Sequence, residues 1–383
     1  MSGVKIFFAG DFCSKPSTDF ITVDRRLKEI ISGSDISVVN FEVPLKPTLS
    51  QLPSVCYERF FQNNDAPTFL RSLGFNLFAV ANNHLFDWGV EGYKCTLDAL
   101  GEDTVGAGAT YQQAYKIKVV ERNNIKIGFL ALCYAARNGV YSDVYNHNGY
   151  GCAYINDLSV NHIIHTEKKN VDYLFLLPHA GIEYKDAPIP ELMARYRDFI
   201  DWGCDGVIAS HPHCPQGWEV YNGKPIFYSL GNLFFNSKNT VDYVADKPHW
   251  YEGLCVLLEV DGKNITFDVI NTLNVGNKEL TIDSSPNRDK HNAYLCKLLQ
   301  DKDLYEQYLN TLLQETETEF FPVLYRAFVP FKGWKAIKSA FRMAREVFKG
   351  KTNRMRLPAQ PIIIDDAKKA LLVRIFNEKY NQH

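Results

Sequence analysis

The sequence has no CxxC pair, no apolar run near the roughly 20 residues that span a bilayer, and almost no excess of charge. Each absence excludes something. Its nine cysteines, at 13, 56, 95, 133, 152, 204, 214, 255 and 296, are odd in number and scattered. That is neither a disulfide framework nor a zinc ribbon, and it suits reduced thiols packed as small apolar side chains in a cytoplasmic protein. A formal net charge of −2 gives no reason to expect nucleic acid as a partner. Met1-Ser2-Gly3 leads straight into Val4-Lys5-Ile6-Phe7-Phe8-Ala9 with no basic n-region. Neither a standard export signal nor an integral membrane protein is therefore expected.

What is present is a succession of short apolar runs, at 5–9, 36–40, 75–81, 125–133, 171–177, 206–209 and 225–230. Between several of them lie 3.6-period stripes: Val90, Tyr93, Leu97 and Leu100 share one helical face, and Leu192, Tyr196, Phe199 and Ile200 another. Strands alternating with helices imply an α/β protein whose sheet is buried by helices. Two further runs, 253–260 and 265–272, flank Asp261-Gly262-Lys263-Asn264 and read as a hairpin. The polar stretch 283–290 reads as a linker, after which the chain turns helical, with a further strand only at 361–364. Two regions follow: 1–280, and a mostly helical, basic 281–383.

The informative residues close the strands. Asp11 follows the first run through Gly10, Glu42 closes the second, and Asn82-Asn83-His84 closes the third. His179 and His211-Pro212-His213 follow two later runs. Any one of these alone would more simply be a cap, a turn former or a satisfied polar residue. Ligands of open α/β sheets bind beyond the carboxyl ends of strands, so five such ends together point to one metal-centred site. Pro212 biases His211 toward an extended backbone, and side chains two apart on an extended segment share a face, so both imidazoles would reach it. Asp87 either holds the His84 ring and favours its protonated form or complements the entry of a helix. Glu183, four residues after His179, is an acid–base candidate or an orienting partner for a ligand histidine. The long segments 44–67 and 134–155 are candidate lids or substrate walls. Within them Lys46, Arg59 and Arg137 either meet an anionic substrate or are solvated.

Asn82-Asn83-His84-x-x-Asp87-x-Gly89, His179-x-Gly181-x-Glu183-Tyr184, Ser210-His211-Pro212-His213 and Tyr228-Ser229-Leu230-Gly231-Asn232 together resemble the CapA family of poly-γ-glutamate capsule biosynthesis. The likeness covers about residues 4 to 275 and includes Gly10-Asp11 and Asn40-x-Glu42. It implies a metallophosphatase-like four-layer α/β/β/α sandwich holding two divalent transition ions, manganese, iron or zinc. It implies Asp11, Glu42, Asn83, His179, His211 and His213 as ligands and His84 as general acid. Two departures stand out. The phosphoesterase pattern opens Asp-x-His, whereas Phe12 and Cys13 follow Asp11 here, and Glu42 stands where a bridging Asp is usual. Cys13 is a conceivable soft ligand in place of the missing imidazole. The function implied is a metal-dependent hydrolase of the phosphoesterase type in capsule or surface-polymer biosynthesis, with an anionic small molecule or polymer as substrate. A non-catalytic accessory component of a polymer-assembly complex, or metal-assisted amide or carboxylate chemistry, are the alternatives.

Between 332 and 356 lie Lys332, Lys335, Lys338, Arg342, Arg345, Lys349, Lys351, Arg354 and Arg356, with Glu346 as the lone acid. Trp334, Ile337, Phe341, Ala344 and Phe348 form a stripe opposite many of them. Such a helix either docks on an anionic membrane surface, here the inner face, or packs its stripe on the rest of the protein.

Overall fold

The apolar runs become the strands of two main sheets in a computed structural model that describes residues 3–48, 60–134, 140–141, 149–236, 247–328 and 366–380. The larger sheet has nine strands and is centred on Val4–Ser14. That strand pairs in parallel with Ile36–Phe41 and Asn232–Asn236, and antiparallel with Glu252–Asp261. Leu77–Ala79 extends the parallel side, and the expected hairpin, Glu252–Asp261 with Asn264–Val275, builds the antiparallel side. The second sheet has six strands, with Ile125–Cys133, Tyr173–His179, Gly206–Ile208 and Lys224–Phe227 parallel at its centre.

The two sheets face each other. Phe8 of the first meets Phe129 and Phe175 of the second at 6.3 and 5.7 Å, and Phe227 meets Phe267 at 5.2 Å. Helices cover the outer faces. Arg25–Ser32 starts where the Asp24 carboxylate accepts the Leu27 N–H at 2.9 Å, and it buries Leu27 and Ile31. Pro190–Asp201 buries the predicted stripe Leu192, Tyr196, Phe199 and Ile200. The order helix, sheet, sheet, helix is the four-layer arrangement expected.

Three details differ from the sequence reading. The first strand does not stop before Asp11; it runs to Ser14, because Asn232–Asn236 pairs with it beyond that point. Its register with both parallel neighbours shifts around Asp11, so the residue sits at an irregularity inside the strand. The stretch 283–290 is not a linker throughout, since the helix Pro286–Gln300 begins within it and buries Leu295 and Leu298.

The chain divides into two compact units, Met1–Asp301 and Lys302–His383, and Pro286–Gln300 goes with the first. Helices Lys302–Phe328 and Asp366–Tyr380 belong to the second. The strand expected at 361–364 and the basic segment 332–356 lie outside the described residues. Among the described residues, no helix is long and apolar enough to cross a membrane. Every cysteine among them is free.

Gly10 is fixed by close approach. A Cβ there would lie 1.9 Å from the Gly231 carbonyl oxygen, the atom that accepts the Asp11 N–H at 2.9 Å. Gly10→Ala must push two backbone segments apart beside Asp11. Urea unfolding is expected to show a loss of about 1–3 kcal/mol, and an unchanged midpoint would contradict this packing.

Candidate metal centre

The parallel strands of both sheets deliver their polar ends to one buried place. Asp11, Glu42 and His179 each offer a ligand atom there, all within 4.8 Å of one another. Three imidazole nitrogens surround one oxygen: Glu42 Oε1 lies 3.8 Å from His84 Nε2, 3.8 Å from His179 Nε2 and 3.6 Å from His213 Nε2. These separations are too long for hydrogen bonds. They are a few tenths of an ångström wider than the roughly 3.0–3.4 Å between ligands that share an ion at about 2.1 Å. Asp11 stands opposite, with Oδ1 3.6 Å from His179 Nδ1 and Oδ2 3.5 Å from His213 Nδ1. The His211 ring lies 4.7 Å from that of His179, and Asn83 Oδ1 is 3.0 Å from His179 Nε2. All six side chains expected to ligate are thus gathered, and their mixed nitrogen and oxygen set suits manganese, iron or zinc.

The surrounding side chains hold these donors in place. His84 Nδ1 lies 2.8 Å from Asp87 Oδ2, which also accepts the Phe60 N–H at 3.0 Å. Asp87 therefore lies in contact with the His84 ring. Two holding residues were not singled out by sequence. Asn40 Nδ2 donates to Asp11 Oδ1 at 2.7 Å and lies 3.0 Å from His179 Nδ1. Asn232 Oδ1 lies 2.9 Å from His213 Nδ1, while its Nδ2 donates to the Trp250 carbonyl. Asn40 had a signal, because it precedes Glu42 by two positions and residues two apart at a strand end share a face. Glu183 acts on His211 through its charge.

Burial alone would raise the Asp11 carboxyl. The neighbouring His179 and His213 rings and the hydrogen bond from the Asn40 amide outweigh burial and hold it well below the usual carboxylate range. Burial pushes His179 down, opposed by Asp11, and pushes His211 well down, reinforced by the neighbouring His179. Neutral imidazoles keep lone pairs for a metal. The same shifts fix the sign of a pH effect. The unfolded chain takes up protons on these two rings near 6.5, whereas the folded chain takes them up only at lower pH. Their contribution to stability is complete above the unfolded value and is lost as pH falls below it. Metal-free protein should show a lower urea midpoint at about pH 5.5 than at about pH 7.5, and equal midpoints would contradict it.

Strain is concentrated here. Eight non-glycine residues among those described have positive φ, and four of them, Val43, Tyr184, His211 and His213, line or adjoin the centre. The other four are asparagines, which tolerate such angles in turns. His211, at φ 103°, is not extended as the Pro212 argument expected. The two imidazoles still reach one site, with rings 6.1 Å apart, but a strained turn brings them there. Cys13 is buried in contact with Val43, Phe235 and Trp250, and burial together with the Glu42 charge pushes its thiol well up. It packs as a small apolar side chain.

Trp250, Phe235 and Tyr184 wall the His213 side, with ring separations of 5.0, 5.0 and 6.0 Å. On the other side the Phe60 ring meets His84 edge-on at 5.0 Å. Next to Phe60 lies a cavity of about 600 Å³, lined by Lys46, Phe61, Asn63 and Trp88 among others. Lys46 Nζ sits 5.0 Å from the Phe61 ring and 5.5 Å from that of Trp88. Arg59 and Arg137 lie outside the described residues.

The profile of the family described as bacterial capsule synthesis protein PGA_cap matches residues 5–237. The chain belongs to that family. The match takes in Asp11, Glu42, Asn83, His84, His179, His211 and His213, and ends before Trp250. Over 214 residues the chain is 30% identical to the PGA biosynthesis protein CapA of Bacillus subtilis, covering 55% of this chain and 56% of that one. Over 270 residues it is 27% identical to the capsule biosynthesis protein CapA of Bacillus anthracis, covering 67% and 64%. A probable polyglutamine synthesis accessory protein of Mycobacterium tuberculosis is 28% identical over 218 residues, covering 53% and 56%. The chain thus spans between 56% and 64% of the length of these relatives. Among solved structures, a phosphatase from Mycoplasma pneumoniae is similar over 76% of this chain and 97% of its own, at 16% identity and a TM-score of 0.44.

Proposed function

We propose that this PGA_cap protein is a cytoplasmic, metal-dependent hydrolase of the phosphoesterase type that acts in capsule or surface-polymer biosynthesis. The observation that carries the reading is the ring of imidazole nitrogens around the buried Glu42 Oε1, with Asp11 across from it. Asp11, Glu42, Asn83, His179, His211 and His213 would hold two divalent transition ions. Such ions, when bound, polarise a phosphoryl oxygen and lower the pKa of water to roughly 7.

The protein's own residues do the rest. Asn40 and Asn232 fix the Asp11, His179 and His213 donors by hydrogen bonds. His84, backed by Asp87, presents Nε2 toward the centre, where it would give a proton to the leaving oxygen as water adds to phosphorus and the ester P–O bond breaks. Phe60 and Trp250 limit water around the two ends of the cluster. Lys46, which lines the cavity beside Phe60, would meet an anionic substrate there.

The test is a panel of phosphate monoesters and diesters, with an amide panel beside it, assayed with protein loaded with manganese or zinc. Metal-dependent phosphoester turnover is expected. Loaded, folded protein inert on phosphoesters but active on amides would move the reading to amide chemistry. Protein inert on both would favour a second reading, a non-catalytic accessory component of a polymer-assembly complex. That second reading is supported by the loss of the Asp-x-His imidazole at Cys13 and by the accessory role in the name of the Mycobacterium relative.

A further inference from the structure

Away from that centre, Asp186, His249 and His291 also offer one ligand atom each, all within 4.8 Å of one another. They come from three separate places in the compact unit Met1–Asp301. Asp186 lies in the loop after Tyr173–His179, His249 in the turn before Glu252–Asp261, and His291 in the helix Pro286–Gln300. We propose that these three residues form a second binding site for a divalent transition metal, structural in role and separate from the catalytic one.

The case rests on the convergence of three ligand atoms and on how the two rings are placed. Glu252 Oε2 lies 2.9 Å from His249 Nδ1 and 3.7 Å from His291 Nδ1, and the rings stack with centroids 4.1 Å apart and planes 24° from parallel. A ring whose Nδ1–H points at a carboxylate keeps its lone pair on Nε2. Histidines that ligate metals are commonly held in this way by a carboxylate behind them. Glu252 is in turn fixed by Arg288, which pairs with it and donates to the Gly253 carbonyl at 3.1 Å. His291 Nδ1, at 3.7 Å from Glu252 and 3.5 Å from Arg288, is not hydrogen-bonded to the carboxylate, so the carboxylate orients His249 and the stacking on His249 places His291.

A purely structural ion pair between His249 and Glu252 would explain those two residues. It would not require a second imidazole stacked on the first, nor a carboxylate brought to both from another loop. Two imidazoles and one carboxylate leave positions open for water and suit zinc, iron or manganese. Such an ion would tie three distant segments together. His249 immediately precedes Trp250, whose ring packs on His213, so the ion would pin one wall of the catalytic centre.

Zinc titration of the full chain tests this, with cobalt as a spectroscopic stand-in. Asp11→Asn with His179→Ala, which disables the catalytic centre, should still bind one tight equivalent and give the cobalt absorption of a nitrogen- and oxygen-ligated ion. Adding His291→Gln should abolish both. Should the first pair of changes prevent folding, wild type is compared with His291→Gln alone. His291 is partly exposed on a helix, and its loss should cost one equivalent and shrink the zinc-induced rise in melting temperature. Equal stoichiometry in wild type, His291→Gln and Asp186→Asn would overturn the proposal. Because the readout is metal bound outside the catalytic centre, failure here would leave the proposed hydrolase activity untouched.

Discussion

His84→Ala is expected to leave the catalytic centre loaded while slowing phosphoester turnover by about 10²–10⁴-fold, the usual worth of a positioned general acid. The ring's Nε2 approaches Glu42 Oε1 at 3.8 Å, and its Nδ1 lies 2.8 Å from Asp87. Backed by Asp87, it is assigned the role of moving a proton, as the proposed function requires. Substrates with good leaving groups need less protonation, so the loss should be smallest for nitrophenyl esters and largest for alkyl esters. Asp87→Asn should give a milder loss, about 10–100-fold, because it removes the charge behind the ring but keeps a hydrogen-bonding group. Loss of metal from His84→Ala, or equal loss on all esters, would contradict the assignment.

Asp11→Ala is expected to do the opposite: release metal from the centre and reduce turnover to background on every ester. Asp11 is fully buried and meets four partners at once, the Asn40 amide, the His211 N–H, and the rings of His179 and His213. Its removal leaves the Asn40 and His211 donors without their acceptor, at about 1–3 kcal/mol for each buried group left unsatisfied. His179 loses less, because burial already lowers its pKa and favours the neutral ring. A folded, metal-free protein with a lowered melting temperature is the expected result, read by circular dichroism and metal analysis together.

The strand-end logic was legible because it follows from strand period and from the place of ligands in parallel sheets. Glu42, Asn83, His84 and His179 fall where that logic puts them. Asp11 was found for a partly wrong reason. It is not past its strand but at a register shift inside it, and that depends on Asn232–Asn236, more than two hundred residues away. The same holds for His211: a proline rule is local, while the residue sits at φ 103° with its N–H donated to Asp11 Oδ2, two hundred residues away. Asn232 appeared in the sequence only as part of a motif, and its hold on His213 needs the fold. Asp186, His249 and His291 were illegible altogether, since no spacing rule joins a loop, a turn and a helix so far apart. The cations were the least legible, because a surface lysine or arginine carries no periodic signal; only Lys46 lies among the described residues, at the rim of a cavity.

The central claim, that Glu42 and the imidazoles around it form a metal centre, is tested most directly by counting metal in purified wild type and in Glu42→Gln. Both proteins are loaded with manganese or zinc and dialysed before elemental analysis. Exchanging one oxygen for an amide nitrogen barely changes volume but removes the negative charge that three Nε2 atoms face. Wild type should retain at least one equivalent more than Glu42→Gln, with both proteins folded. Equal metal content in the two, or a wild type that retains none, would contradict the account.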